Sequence, residues 1–228
     1  MSTDTPPETA KTTVLILVRH GETLGNREGR YQTQETPLSD TGRAQAARLA
    51  ERIAAEHSVQ VIYSSDLARA METATIVGER LGLDPHPQPA LREIDVGDLK
   101  GQLRSEAMER YPGGFDAWLA AGGIERLPGE SGESCDDVAL RTMAAIREIV
   151  ARHPGECVLV VSHGLALGIL LGEIHGWERV ETLTTGRALQ GNTAVNIVDV
   201  DAAGVWSCRL VGCVAHLATD PSPGPSPR

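Results

Sequence analysis

The sequence predicts an α/β fold: a three-layer sandwich with a mostly parallel sheet, an antiparallel edge strand, and helices on both faces. Three observations lead there. Two aliphatic runs, residues 14–18 and 157–161, carry no polar alternate, which marks strands covered on both sides. Segments of helical period fall between the strand-like runs, as parallel crossovers require. The last two strand-like runs are joined only by Asp201-Ala202-Ala203-Gly204, a hairpin-length connection.

Each element follows from local chemistry. Residues 14–18 form the first strand. In 39–56, Ala46, Leu49, Ala50 and Ile53 share one helical face, and Ser39 or Asp40 stands at the cap position. Residues 59–63 read as a second strand. Asp66 is placed to cap a helix that runs to Leu81 and stops at Gly82. Residues 84–89 contain three prolines and read as loop. From 96 to 132 eight glycines break up apolar clusters that include Met108, Tyr111, Phe115 and Trp118; one or two short helices inside an irregular excursion are expected. A helix over about 134–152, the strand 157–161, a helix over 166–174 and strands at 195–200 and 206–211 complete the series. The expected organisation is a flexible leader (1–12), one domain (13–218) with a cap-like excursion over the site (96–133), and a Pro/Ser-rich disordered tail (219–228).

Charge narrows the function. The 228 residues carry 21 Lys+Arg against 31 Asp+Glu, a net −10, with no basic run. That balance argues against nucleic acid or an anionic membrane as partner. All but Lys11 and Lys100 of the basic residues are arginine, the side chain suited to a bidentate grip on phosphate. No apolar stretch reaches membrane-spanning length, the first residues do not resemble a secretory signal, and four cysteines show no C-x-x-C pair. A cytoplasmic protein with reduced thiols is expected.

Two strands end alike. The runs LILV-Arg19-His20-Gly21 and VLVV-Ser162-His163-Gly164 each leave an aliphatic strand through a His-Gly pair. Seven His and 24 Gly predict about 0.7 such pairs by chance, so the dipeptide alone is weak, as His175-Gly176 illustrates. Position gives the other two weight, because ligands of open α/β sheets sit at the carboxyl ends of strands. A glycine after each histidine lets backbone approach a ligand. Arg19 directly after five aliphatic residues is poorly explained by packing. At a third strand-to-helix junction, Ser64-Ser65-Asp66-Leu67-Ala68-Arg69, Arg69 falls in the first helical turn, where anions are favoured.

Arg19-His20-Gly21-Glu22-Thr23 with Asn26, Ser64-Ser65-Asp66-Leu67-x-Arg69-Ala70-x-x-Thr73-Ala74, Leu91-Arg92-Glu93-Ile94-Asp95-x-Gly97-Asp98 and Ser162-His163-Gly164 together resemble the histidine phosphatase superfamily. The branch is that of phosphoglycerate mutases and small phosphatases, and the resemblance spans about residues 14–200. It implies that His20 is the nucleophile and becomes a phosphohistidine. Arg19, Arg69 and His163 would hold phosphoryl oxygens, and Glu93 would protonate the leaving oxygen. Asn26, Thr23 and Gln32 would line the phosphate site, with Gly21 and Gly164 beside it. No metal and no cofactor are implied. The implied partner is a small phosphorylated metabolite, and a homodimer is compatible with the family. This chain departs from the family pattern at Leu99-Lys100-Gly101, where many small phosphatases show Trp-Glu-Gly, and in a shortened segment after Gln32.

Physics supports the same roles. Phosphoryl transfer is chiefly positioning plus neutralisation of charge, which two guanidiniums can supply without metal. An imidazole attacks only when neutral and held in one tautomer. A carboxyl can serve as acid when burial or a neighbouring charge keeps its proton on. Other chemistries fit less well. Cys135-x5-Arg141 matches a cysteine-phosphatase spacing, but Asp136 and Asp137 inside it would repel phosphate. No phosphate-binding loop of the G-x-x-x-x-G-K type and no H-E-x-x-H or H-x-H motif is present. A phosphatase for small monoesters is therefore expected. A cofactor-dependent phosphoglycerate mutase is the alternative, favoured less by the short, Gly-rich excursion; a catalytically idle regulatory domain on the same scaffold is a further one.

Overall fold

The computed structural model describes residues 12–110, 114–185 and 190–218. Residues 1–11 of the expected leader, the expected tail and Tyr111 lie outside the described residues, as does the side chain of Met108.

The chain runs β1 (Thr13–Arg19), α1 (Leu24–Glu28), α2 (Asp40–Glu56), β2 (Val61–Ser64), α3 (Ala68–Leu81) and β3 (Pro85–Pro87). After two 3-10 turns, Pro89–Leu91 and Gly97–Leu99, come α4 (Arg104–Arg110), α5 (Gly114–Ala120) and α6 (Cys135–Arg152). Then follow β4 (Cys157–Ser162), α7 (Gly164–His175), α8 (Arg179–Thr184), β5 (Val195–Val200) and β6 (Trp206–Cys213). The six strands form one sheet in the order β3-β2-β4-β1-β5-β6. β3, β2, β4 and β1 are parallel; β5 is antiparallel to β1, and β6 turns back along it to form the edge. This is the three-layer α/β sandwich the sequence predicts.

Strand alternation builds two cores. Leu15, Leu17, Val158 and Val160 face α6 and α7, where Ile146, Ile149, Leu167 and Leu170 meet them. Ile16, Val18, Leu159 and Val161 face α2 and α3, meeting Leu49, Ile53, Ala70 and Val77. The absence of polar alternates in these strands thus reflects a layer of helix on each side. A third cluster lies under the excursion, where Tyr31, Ile94, Leu119, Val138 and Leu165 pack with Phe115 and Trp118.

Two local expectations need correction. Residues 84–89 are not simply loop: Pro85–Pro87 adds a short edge strand parallel to β2, a position where prolines are tolerated because no ladder N–H is needed on the outer side. Asp66 does not cap α3. The N-cap is Leu67, with no side-chain cap bond, and Asp66 instead forms a two-pronged ion pair with Arg92. Of the two cap candidates for α2, Ser39 holds the position, its side chain accepting from the Gly42 N–H.

Candidate active site

The register of β1 and β4 assembles the site. Arg19 pairs with Ser162, so His20 and His163 emerge one residue later at the same carboxyl edge. Their ring centroids are 5.2 Å apart. β2 pairs with the other side of β4 and delivers α3, whose first turn brings Arg69 Nε to 3.3 Å from His20 Nε2.

His20 is almost fully buried, and its state can be read from its contacts. Nδ1 lies 2.6 Å from the Gly21 carbonyl oxygen, which can only accept, so Nδ1 carries the proton and Nε2 presents its lone pair. Burial first, then the Arg69 and Arg19 charges, hold the ring well below its ordinary value, and it stays neutral. The Asn192 side-chain amide and the Thr193 N–H donate to the His20 carbonyl and fix the backbone behind the ring. His163 is completely buried and likewise held neutral by burial and by Arg69. Its Nε2 is 2.8 Å from Ser65 Oγ. Ser65 Oγ accepts from the Leu67 N–H, so its hydroxyl proton can point to Nε2, leaving Nδ1 as the protonated nitrogen.

The guanidiniums are held by backbone, not by carboxylates. Arg19 Nη1 donates to the Gln190 carbonyl, and Arg69 Nη1 to the Thr33 carbonyl at 3.0 Å. Burial lowers both, Arg69 to about 10. Arg19 Nε and His163 Nδ1 are buried polar atoms without a partner among the described residues. Arg19 Nε is a donor that a phosphoryl oxygen would satisfy, and His163 Nδ1 is one in the tautomer in which Ser65 Oγ donates to Nε2.

Glu93 reaches the same cleft from the segment after β3. Its Oε1 accepts from the Ala166 N–H (2.9 Å) and the Ile94 N–H, and its Oε2 from the Leu165 N–H (3.2 Å). The carboxyl therefore docks on the first turn of α7, the helix that follows His163.

The cleft has a volume of about 500 Å³ and is lined by Arg19, His20, Asn26, Gln32, Arg69, Glu93 and Gly164 among others. Two anticipated residues are placed differently. Gly21 faces away: a Cβ there would stand 2.5 Å from the Gly42 carbonyl oxygen, so the glycine serves the approach of α2. Thr23 is fully buried and caps α1, while its hydroxyl donates to Asn26 Oδ1 or Gln32 Oε1; it orients the two residues that do line the cleft. Residues that sequence reasoning passed over are Ser65, Asn192, Thr193 and the carbonyls of Thr33 and Gln190. Only Ser65 stood within a quoted motif; the others act through backbone or distant chain segments.

A neutral imidazole flanked by two guanidiniums, a second imidazole and a carboxyl is suited to phosphoryl transfer on histidine. The family comparison agrees: the chain belongs to the histidine phosphatase superfamily, branch 1, whose model matches residues 15–213. It is 36% identical over 212 residues to the metal-independent phosphoserine phosphatase of Arabidopsis thaliana, covering 92% of this chain and 85% of that one. It is 35% identical over 205 residues to phosphoglycerate mutase-like protein 4 of the same plant, covering 89% and 86%. Among solved structures, Bacillus stearothermophilus YhfR superposes with a TM-score of 0.82 at 35% identity, over 90% of this chain and 98% of that one.

Proposed function

We propose that this phosphoric monoester hydrolase acts on small phosphorylated metabolites through a phosphohistidine on His20, without a metal. One observation carries the reading: His20 Nδ1 is locked on the Gly21 carbonyl, so a neutral Nε2 lone pair stands beside Arg69 and Arg19. Nε2 attacks phosphorus as the ester P–O bond breaks, and the leaving oxygen takes the proton of the Glu93 carboxyl. Glu93, now a carboxylate, removes a proton from water as its oxygen attacks the phosphohistidine. The N–P bond breaks, its electron pair returns to Nε2, and orthophosphate leaves. Arg19 and Arg69 neutralise the charge on the equatorial oxygens in both steps, and the neutral His163 donates a hydrogen bond to one of them.

Substrates with a second acidic group fit the cleft. Among the described residues Arg104 has no carboxylate partner; its guanidinium lies 5.8 Å from the Tyr31 ring centre in the cleft wall. The relative named as a phosphoserine phosphatase is consistent with such a substrate.

The test is a labelled phosphate ester, quenched in alkali, followed by initial rates over sugar phosphates, phosphoglycerates, nucleotides and phospho-amino acids with and without chelator. Acid-labile label and phosphate release, both absent in His20→Ala, are expected. Label passed to a phosphoglycerate instead of water would make the protein a mutase. No label and no release across the panel would remove the enzyme reading.

A further inference from the structure

Glu93 is held at its tip by α7, but its backbone needs a second anchor, and α6 supplies it through Arg141. All five N–H groups of this guanidinium have acceptors. Nε donates to Glu133 Oε1 (2.8 Å) and Nη2 to Glu133 Oε2 (2.9 Å). Nη1 donates to the carbonyls of Ala90 (2.8 Å) and Arg92 (2.7 Å), and Nη2 also to that of Glu93 (3.2 Å). Glu133 closes the frame: its Oε2 accepts from the Asp95 N–H and its own N–H donates to the Asp95 carbonyl, both at 2.9 Å. The segment 90–95 is thus gripped on both sides of Glu93. A salt bridge made for stability alone would use Glu133 and leave the three carbonyls to water. Three carbonyls on one short segment without regular ladder bonds instead demand a planar fork of fixed geometry, which lysine cannot copy.

We propose that Arg141, with Glu133, is a positioning residue for Glu93, setting where its carboxyl meets the leaving oxygen. This rests on the reading of Glu93 as the proton donor. Proton donation matters little to an ester whose leaving group is already a stable anion and greatly to one whose leaving group is basic. Misplacing Glu93 must therefore steepen the dependence of rate on leaving-group acidity. Loss of fold, or of phosphate binding, would lower every ester by the same factor.

The experiment measures kcat/KM for substituted phenyl phosphates, from p-nitrophenyl to unsubstituted phenyl, in the wild type, Arg141→Gln, Arg141→Lys, Glu133→Gln and Glu93→Gln. General acid catalysis contributes on the order of 10²–10⁴ in rate, and partial misplacement forfeits part of it. Arg141→Gln and Arg141→Lys should lose about tenfold or more on phenyl phosphate and less than about threefold on p-nitrophenyl phosphate. Glu133→Gln, which keeps the side-chain shape, should shift the same way by less and serves if the arginine variants fail to fold. A uniform loss, or none, in the Arg141 and Glu133 variants beside a steepened series in Glu93→Gln overturns the proposal. A uniform loss in Glu93→Gln as well overturns the assignment of Glu93, and the role of Arg141 with it.

Discussion

At the level of single side chains, the site works by withholding charge from the histidines and concentrating it on the arginines. His20 and His163 are buried and held neutral; Arg19 and Arg69 are charged and bonded to carbonyls. Two expectations follow. Arg19→Lys should lower kcat/KM by about 10²-fold or more, because an ammonium cannot reproduce the fork and transition-state donors of this kind are worth that much; near-normal rates in that variant would deny Arg19 contact with the phosphoryl group. His20 should also remain neutral at about pH 6, where a free imidazole would be mostly protonated, and ¹⁵N chemical shifts of its ring nitrogens report this directly. The sign for stability is fixed by the same shift. Unfolded His20 and His163 bind protons near pH 6.5 while the folded rings do so only at lower pH. The unfolded state thus gains protons first, and their contribution to stability is lost as pH falls below about 6.5. A half-titrated His20 at pH 6.5 in the folded protein would contradict this.

Among the elements, glycines set how closely helices approach the catalytic loops. Gly21→Ala would push Cβ to 2.5 Å from the α2 backbone, whereas at Gly164 the nearest atom is Arg19 Nε at 3.3 Å. Gly21→Ala should cost about 1–3 kcal/mol of stability, read as a lowered Tm. Gly164→Ala should leave Tm nearly unchanged and instead depress kcat/KM by displacing Arg19. The same scale shows what a sequence can reveal. Strands β1 and β4 were legible because burial on both faces writes a continuous aliphatic run, and their histidines were legible because strand ends are where ligands sit. Asp66 misled because a capping residue and an ion-pair partner look alike until Arg92 is placed beside it. The edge strand Pro85–Pro87 was hidden by its prolines. α1 and α8, of five and six residues, are too short to show a period. Arg141 matched a misleading spacing with Cys135, and its five acceptors come from segments eight to 51 residues away. Tertiary pairing over such distances leaves no local pattern.

For the molecule as a whole, the cleft inverts the sign of the protein. Eight Lys or Arg and four Asp or Glu line it, a local +4 within a chain of net −10. Substrate attraction therefore depends on field focused in the cleft and not on the overall charge. No helix among the described residues is long and apolar enough to cross a membrane.

The crowding of Arg19 and Arg69 has a thermodynamic consequence. Burial first, and then the Arg19 charge, lower Arg69, so a bound dianion offsets a desolvation and a repulsion built into the fold. Orthophosphate, the released product, should thus act as a folding ligand. At 100 times its Kd it would add about 2.7 kcal/mol, a rise in Tm of roughly 5–10 °C for a chain of this size. Differential scanning calorimetry in a phosphate titration checks it; Arg69→Gln should lose most of the shift, and a Tm indifferent to phosphate would deny the linkage. The ambient phosphate concentration would then govern two quantities together: the occupancy that competes with substrate, and the fraction of molecules protected from unfolding. Product inhibition and durability become one equilibrium.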